Sequence, residues 1–149
     1  MNYSQIRTYF KNQIQAVDSD FREWTDGFNF ENVPSSIFDK AYHISTPTTN
    51  SSDEQQSFTD LIEVDLGASF KGGRNVQDKI FQSLDLMRDV RNKIVNIKDL
   101  NDYNDTINSD QHLQKISPVT IGVSPLNTND DRFTIALSFT VITAYSFCA

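Results

Sequence analysis

The sequence predicts an α+β fold, a mainly antiparallel sheet of about four strands with two amphipathic helices packed on one face, in the order α-β-β-α-β-β. Three observations lead there. The C-terminal stretch Phe133 to Phe147 alternates large apolar residues (Phe133, Ile135, Leu137, Phe139, Val141) with small or hydroxylated ones, the period-two pattern of a strand buried on one side. A second stretch, Phe58 to Phe70, alternates in the same way through Ile62, Val64, Leu66 and Ala68. Two other segments place apolar residues three and four apart, the spacing of amphipathic helices.

The elements follow in chain order. From Ser4 to Val17, Ile6, Tyr9, Phe10, Ile14 and Val17 share one helical face, and Asp18-Ser19-Asp20 closes the helix with residues that bond to local backbone. Phe21 to Phe38 has no clean period and reads as an ordered loop whose aromatics, Trp24, Phe28 and Phe30 among them, need burial in this core or against another subunit. Ala41 to Thr46 is a short strand with Tyr42 and Ile44 on one side. Residues 47–56 contain no apolar side chain and are expected to form a mobile hairpin tip, because such a segment cannot offset its ordering entropy by burial.

After the long strand to Phe70, Lys71-Gly72-Gly73-Arg74 is a turn, and Asn75 with Asp78 is a candidate capping pair. The helix that follows carries Val76, Ile80, Phe81, Leu84, Met87, Val90, Ile94 and Ile97. Asn101 to Ser117 reads as a polar loop with one short strand at most. Pro118 to Ser124 alternates through Val119, Ile121 and Val123, and Pro125 to Asp131 turns the chain into the C-terminal strand. That strand would run about 50 Å if straight, at roughly 3.3 Å per residue, so it is bent or it reaches beyond its own domain.

Composition narrows the function. The 149 residues fit one domain, residues 1–149, with 38 % hydrophobic residues and eleven Phe to fill a core. One cysteine, Cys148, excludes an intrachain disulfide and a multi-cysteine zinc site, and fits a reducing compartment. No apolar run approaches a membrane span and the N-terminus lacks a secretion signal, so a soluble cytoplasmic protein with no membrane partner is expected. The net charge of -7 opposes a nucleic-acid-binding surface.

No residue cluster names a reaction. His43 and His112 have no Cys, Ser or His at ligand or triad spacing, and Cys148 has no neighbouring base to lower its pKa. The acidic turns Asp102-Tyr103-Asn104-Asp105 and Asn129-Asp130-Asp131 lack the glycine and closing glutamate of a calcium loop. Lys71-Gly72-Gly73-Arg74 lacks the spacing of a phosphate cradle, and Glu63 and Asp65, about 7 Å apart on one strand face, suit solvent better than hydrolysis. No catalytic residue, cofactor or metal is expected.

The order of elements and several local patterns resemble the tail terminator, or tail-completion, proteins of long-tailed bacteriophages. The pattern comprises the first helix, Val33-Pro34-Ser35-Ser36-Ile37-Phe38-Asp39 before Tyr42-His43-Ile44, the polar tip, and Leu61-Ile62-Glu63-Val64-Asp65-Leu66. It continues with the long helix bearing Asp78, Ile80 and Leu84, then Asp130-Asp131 before Ala136-Leu137-Ser138-Phe139-Thr140-Val141, and ends at Tyr145. The polar stretch Asn101 to Ser117 and a strand reaching the last residue depart from it. The resemblance implies a structural virion protein, assembled in the host cytoplasm, that closes the head-proximal end of the tail tube as a homohexameric ring. Its implied partners are further copies of itself, the tail tube protein and a head-completion or connector protein, with DNA passing through the channel unbound. Trp24, Phe28, Phe30, Ser51, Asp53, Glu54 and Gln55 are the interface residues it suggests. Another head-tail junction ring or a tail-tube subunit is the alternative, and a small enzyme or monomeric binding domain a more distant one.

Overall fold

The computed structural model describes residues 3–50, 59–107, 110–125 and 131–145. Helix α1 (Tyr3–Val17) is followed by strands β1 (Arg22–Glu23), β2 (Ala41–Ile44), β3 (Thr48–Asn50) and β4 (Thr59–Lys71). Helices α2 (Val76–Ile94) and α3 (Ile97–Asn104) come next, then strands β5 (Gln111–Pro125) and β6 (Arg132–Tyr145). The fold is α+β. Among the described residues the sheet has six strands in the order β1-β2-β4-β6-β5, with β3 also on β4.

The alternation that predicts the two long strands produces the centre of the sheet. β4 and β6 pair antiparallel along their whole length, from Thr59 opposite Ala144 to Lys71 opposite Arg132. Directly paired residues share a face, so Ile62, Val64, Leu66, Ala68 and Phe70 line up with Val141, Phe139, Leu137, Ile135 and Phe133, all buried. Against this face lie Ile6, Tyr9, Phe10 and Ile14 of α1 and Met87, Val90 and Ile94 of α2, with Tyr42 and Ile44 of β2 in the same core. Aromatic contacts tie the core together: the Phe10 ring of α1 meets Phe139 of the sheet edge-on at 5.3 Å, and within the sheet Phe70 stacks on its cross-strand partner Phe133 at 5.6 Å. Each buried side chain of this size contributes about 1.5–3 kcal/mol, so the helix-sheet contact dominates the stability of the fold.

Four details differ from the sequence reading, each for a physical reason. The sheet has six described strands and is mixed, because Arg22–Glu23 add to β2 in parallel within the segment read as loop. β2 and β3 are one strand path along β4 with a one-residue slip: Ile44 faces Leu66 while Thr48 faces Glu63, and Ser45 to Pro47 take up the offset. Residues 48–50 of the expected tip are therefore strand, and residues 51–56 lie outside the described residues.

The third difference is a third helix. α2 stops at Ile94, and Asn96, in an extended conformation, caps α3 by accepting the Asp99 N–H at 3.2 Å. Ile97 thus belongs to α3 and is exposed rather than extending the stripe of α2. Asn75, the expected cap of α2, makes no side-chain capping bond; a single 3-10 turn, Gly73–Asn75, leads straight into the helix. The fourth is the length of β5, which begins at Gln111. Leu113 and Ile116 are both buried although three apart, since a register shift at Gln114 inserts one residue and breaks the period of two.

Candidate interface and surface clefts

The two faces of the sheet are finished differently. The helix-bearing face is sealed along β4 and β6, whereas the other is covered at one end by the connector 24–38. There Phe30, Val33, Phe38 and Ala41 form a second apolar cluster with Trp24 and Ile37 against it. Ser69 donates to the Phe38 carbonyl at 2.6 Å, and the Arg132 guanidinium lies 4.5 Å over the Phe38 ring while donating to Ser35 Oγ at 2.7 Å. Beyond that cover, Glu63, Asp65, Val119, Thr120, Ser138 and Thr140 line an open cleft of about 230 Å³.

The suggested interface residues separate. Phe30 is buried in its own chain. The Trp24 backbone N–H donates to the Tyr42 carbonyl, and its side chain is half-buried with an indole N–H that meets no acceptor among the described residues. Phe28 is the exposed one: its ring lies edge-on to His43 at 4.8 Å and crosses Gly67 so closely that a Cβ there would sit 2.9 Å from the ring. Ser51, Asp53, Glu54 and Gln55 lie outside the described residues, as does Cys148.

Other candidate groups have structural partners. His43 Nδ1 donates to the Trp24 carbonyl at 2.8 Å, which ties β2 to the connector. At the turn after β4, Asp39 accepts from the Lys71 N–H at 3.1 Å and pairs with Lys79 at 3.5 Å, so the glycine-rich segment is anchored to the protein itself. Around β1, Arg7 and Lys11 of α1 both pair with Glu23, Lys11 at 3.0 Å. Burial pushes the Glu23 carboxyl up, but the hydrogen bonds from Lys11 and Arg7 outweigh it and leave the group below its ordinary value. A cleft of about 290 Å³ beside this cluster is lined by Tyr3, Arg7, Glu23, His43 and Pro47, its charges already paired. Among the described residues there is no group of three His, Cys, Asp or Glu side chains able to hold a metal, and no helix long and apolar enough to cross a membrane.

The feature that stands apart is the outer edge of β5. Its first half is covered, since the Asn104 side chain of α3 both donates to the Leu113 carbonyl at 2.7 Å and accepts the Leu113 N–H at 3.0 Å, acting as a one-residue strand. Its second half, Ser117 to Pro125, carries no charged side chain and exposes Val119 at 61 %, Ile121 at 40 % and Val123 at 37 %. A register shift at Val119 turns that side chain into the open cleft, away from the face of Ile121 and Val123, which pair with Leu137 and Ile135 on the helix side. The sequence alternation through all three as one face is thereby corrected.

The hydrogen-bond phase of this edge follows from the same contacts. Leu113 bonds outward to Asn104, so the residues opposite odd-numbered β6 positions point their backbone groups away from β6. These are Ile116, Pro118, Ile121, Val123 and Pro125. The two prolines occupy outward positions, where the missing N–H costs the ladder nothing. Between them, Ile121 and Val123 present complete, outward N–H and C=O pairs.

No protein-family model matches the chain, and no curated protein is significantly similar to it.

Proposed function

We infer that the chain is a structural subunit of a phage tail, a terminator that closes the head-proximal end of the tube as a hexameric ring and offers the head a joining surface. The observation that carries the reading is the unequal finish of the sheet. One face is sealed by helices along β4 and β6, and the other is left half bare with Phe28 exposed and Glu63 and Asp65 in an open cleft. A ring that stops a tube on one side and receives a different structure on the other needs subunits with unlike faces, joined by a heterologous contact whose rotation closes. Acidity suits a channel that DNA crosses without adhering: six copies at -7 would carry about -42.

The work of such a protein is binding, and its reading needs no catalytic residue, cofactor or metal. Solution mass with electron microscopy tests it. A discrete ring supports the terminator, open tubes favour a tail-tube subunit, and a persistent monomer at high concentration overturns both. In the phage, loss of the protein is expected to give tails of uncontrolled length or tails without heads; normal joined particles would sink the reading.

A further inference from the structure

We propose that the open half of β5 pairs antiparallel with the same segment of a second copy, about a two-fold axis through Gly122. The pairing is written in the hydrogen-bond phase. An axis at Gly122 sets Ile121 against Val123 of the second copy and Val123 against its Ile121, and both positions point their N–H and C=O outward. About four hydrogen bonds form, the two exchanged by each such pair. Ile121 and Val123 of the two copies then meet on one face and remove exposed apolar surface, while the bulge at Val119 and Pro125 end the register on either side.

Charge argues for a like partner. Ser117 to Pro125 carries no charge of its own in a chain of net charge -7, so the two paired segments oppose no like charges within the ladder itself, and the nearest acids, Glu63 and Asp65, lie in the cleft beside it. An uncharged, apolar edge whose outward backbone groups meet no partner among the described residues is also the kind that proteins otherwise protect with lysine. The contact is small, well under the roughly 1,000 Å² of a stable interface, and therefore transient. It pairs like with like and ends at two copies, so it stands apart from the heterologous contact of a ring and does not rest on that reading.

Cysteine trapping tests the register. Gly122 carries no side chain, and an added Cβ there meets no heavy atom within 4 Å, so Gly122→Cys leaves the subunit undisturbed. In the proposed pair the two residues 122 form a non-hydrogen-bonded pair about 4.5 Å apart at Cα, within disulfide range. Two residues 124 would instead lie roughly 13 Å apart. With Cys148→Ser removing the native thiol and oxidised glutathione as oxidant, Gly122→Cys is expected to form disulfide dimer at least about tenfold faster than Ser124→Cys. Adding Val123→Pro, which deletes an outward N–H and leaves the β6 ladder intact, should abolish the difference. Equal rates for the two cysteine variants, or a faster Ser124→Cys, overturn the proposal even if Val123→Pro fails to fold. The ring is read separately, from the mass of the unmodified protein: a ring with no trapping at residue 122 refutes this contact alone.

Discussion

Single residues decide where this protein is closed and where it is open. Asn104 ends the exposed edge of β5 by bonding both backbone groups of Leu113. Asn104→Ala removes both bonds and is expected to cost about 1–2 kcal/mol. Asn104→Asp keeps the acceptor for the Leu113 N–H but sets a second carboxylate oxygen against the Leu113 carbonyl, so it should cost at least as much as alanine while protecting the Leu113 amide better than alanine does; a urea-denaturation series with amide exchange checks the pairing. Tyr9 plays the corresponding part inside the helix layer. Its hydroxyl donates at 2.7 Å to the Ile94 carbonyl, one of the acceptors that the end of α2 leaves without a helical partner, and its ring packs on Tyr103 at 5.3 Å. Burial, with a smaller contribution from Asp99, holds its ionisation far above that of an ordinary tyrosine. Tyr9→Phe should lower stability by about 1–2 kcal/mol with no change of fold, read from the denaturation midpoint at constant slope.

At the scale of elements, the contact of α2 with the sheet is the most sensitive. Val90 is fully buried there, and Val90→Asp places an unpaired charge against Leu66 and Ala68, at a cost of several kcal/mol, enough to unfold a domain of ordinary stability. Soluble, cooperatively melting Val90→Asp protein would show that the stripe packs elsewhere. β1, by contrast, is held by charge. Asp18 lies below its ordinary value, chiefly through the hydrogen bond from Lys40 at 2.6 Å, and Glu23 is also lowered. Groups whose folded pKa is depressed contribute stability above their unfolded values, 3.8 and 4.5, and lose it as pH falls through the lower folded values. Lys40, raised above 10.5, contributes below that value and loses its share as pH climbs past the folded one. Acid is therefore expected to loosen the α1-β1 junction below about pH 4, by about 1 kcal/mol or less per pair, and Asp18→Asn should flatten that limb of the stability curve. These elements also show what a sequence makes legible. α1, β4, β6 and most of α2 were readable because each keeps one period over its whole length. β5 was half hidden because the extra residue at Gln114 puts Leu113 and Ile116 three apart, a helical spacing in a strand. α3 was masked because Ile97 continues the stripe of α2 by number, although Asn96 breaks the helix before it; the Asn96 and Asp99 pair was the available sign. Of the aromatics Trp24, Phe28 and Phe30, sequence showed that all need cover but not that Phe28, seated across Gly67, is the one left exposed.

For the molecule as a whole, the sign of its response to salt separates the functional readings. A chain of net charge -7 repels its own copies, and that repulsion acts over roughly a Debye length, about 8 Å at physiological ionic strength. Any assembly of this chain, ring or pair, brings such charges together. Pairing at β5 would do so near Glu63 and Asp65, which share a cleft with Val119 and Thr120 of that strand. The attractive part of the contact, backbone hydrogen bonds and apolar surface at Ile121 and Val123, is not weakened by screening. Self-association should therefore strengthen several-fold between about 20 mM and 0.5 M salt, as repulsion is screened. A protein that grips DNA through Lys and Arg behaves in the opposite way, because each phosphate contact releases counterions and binding falls steeply as salt rises. Sedimentation across that salt range, with and without duplex DNA, reads both signs in one experiment. Association that grows with salt while DNA stays unbound is the expected outcome for a subunit whose partners are proteins. DNA binding at low salt that disappears at high salt would overturn the unbound-channel reading and move the function to the nucleic acid itself.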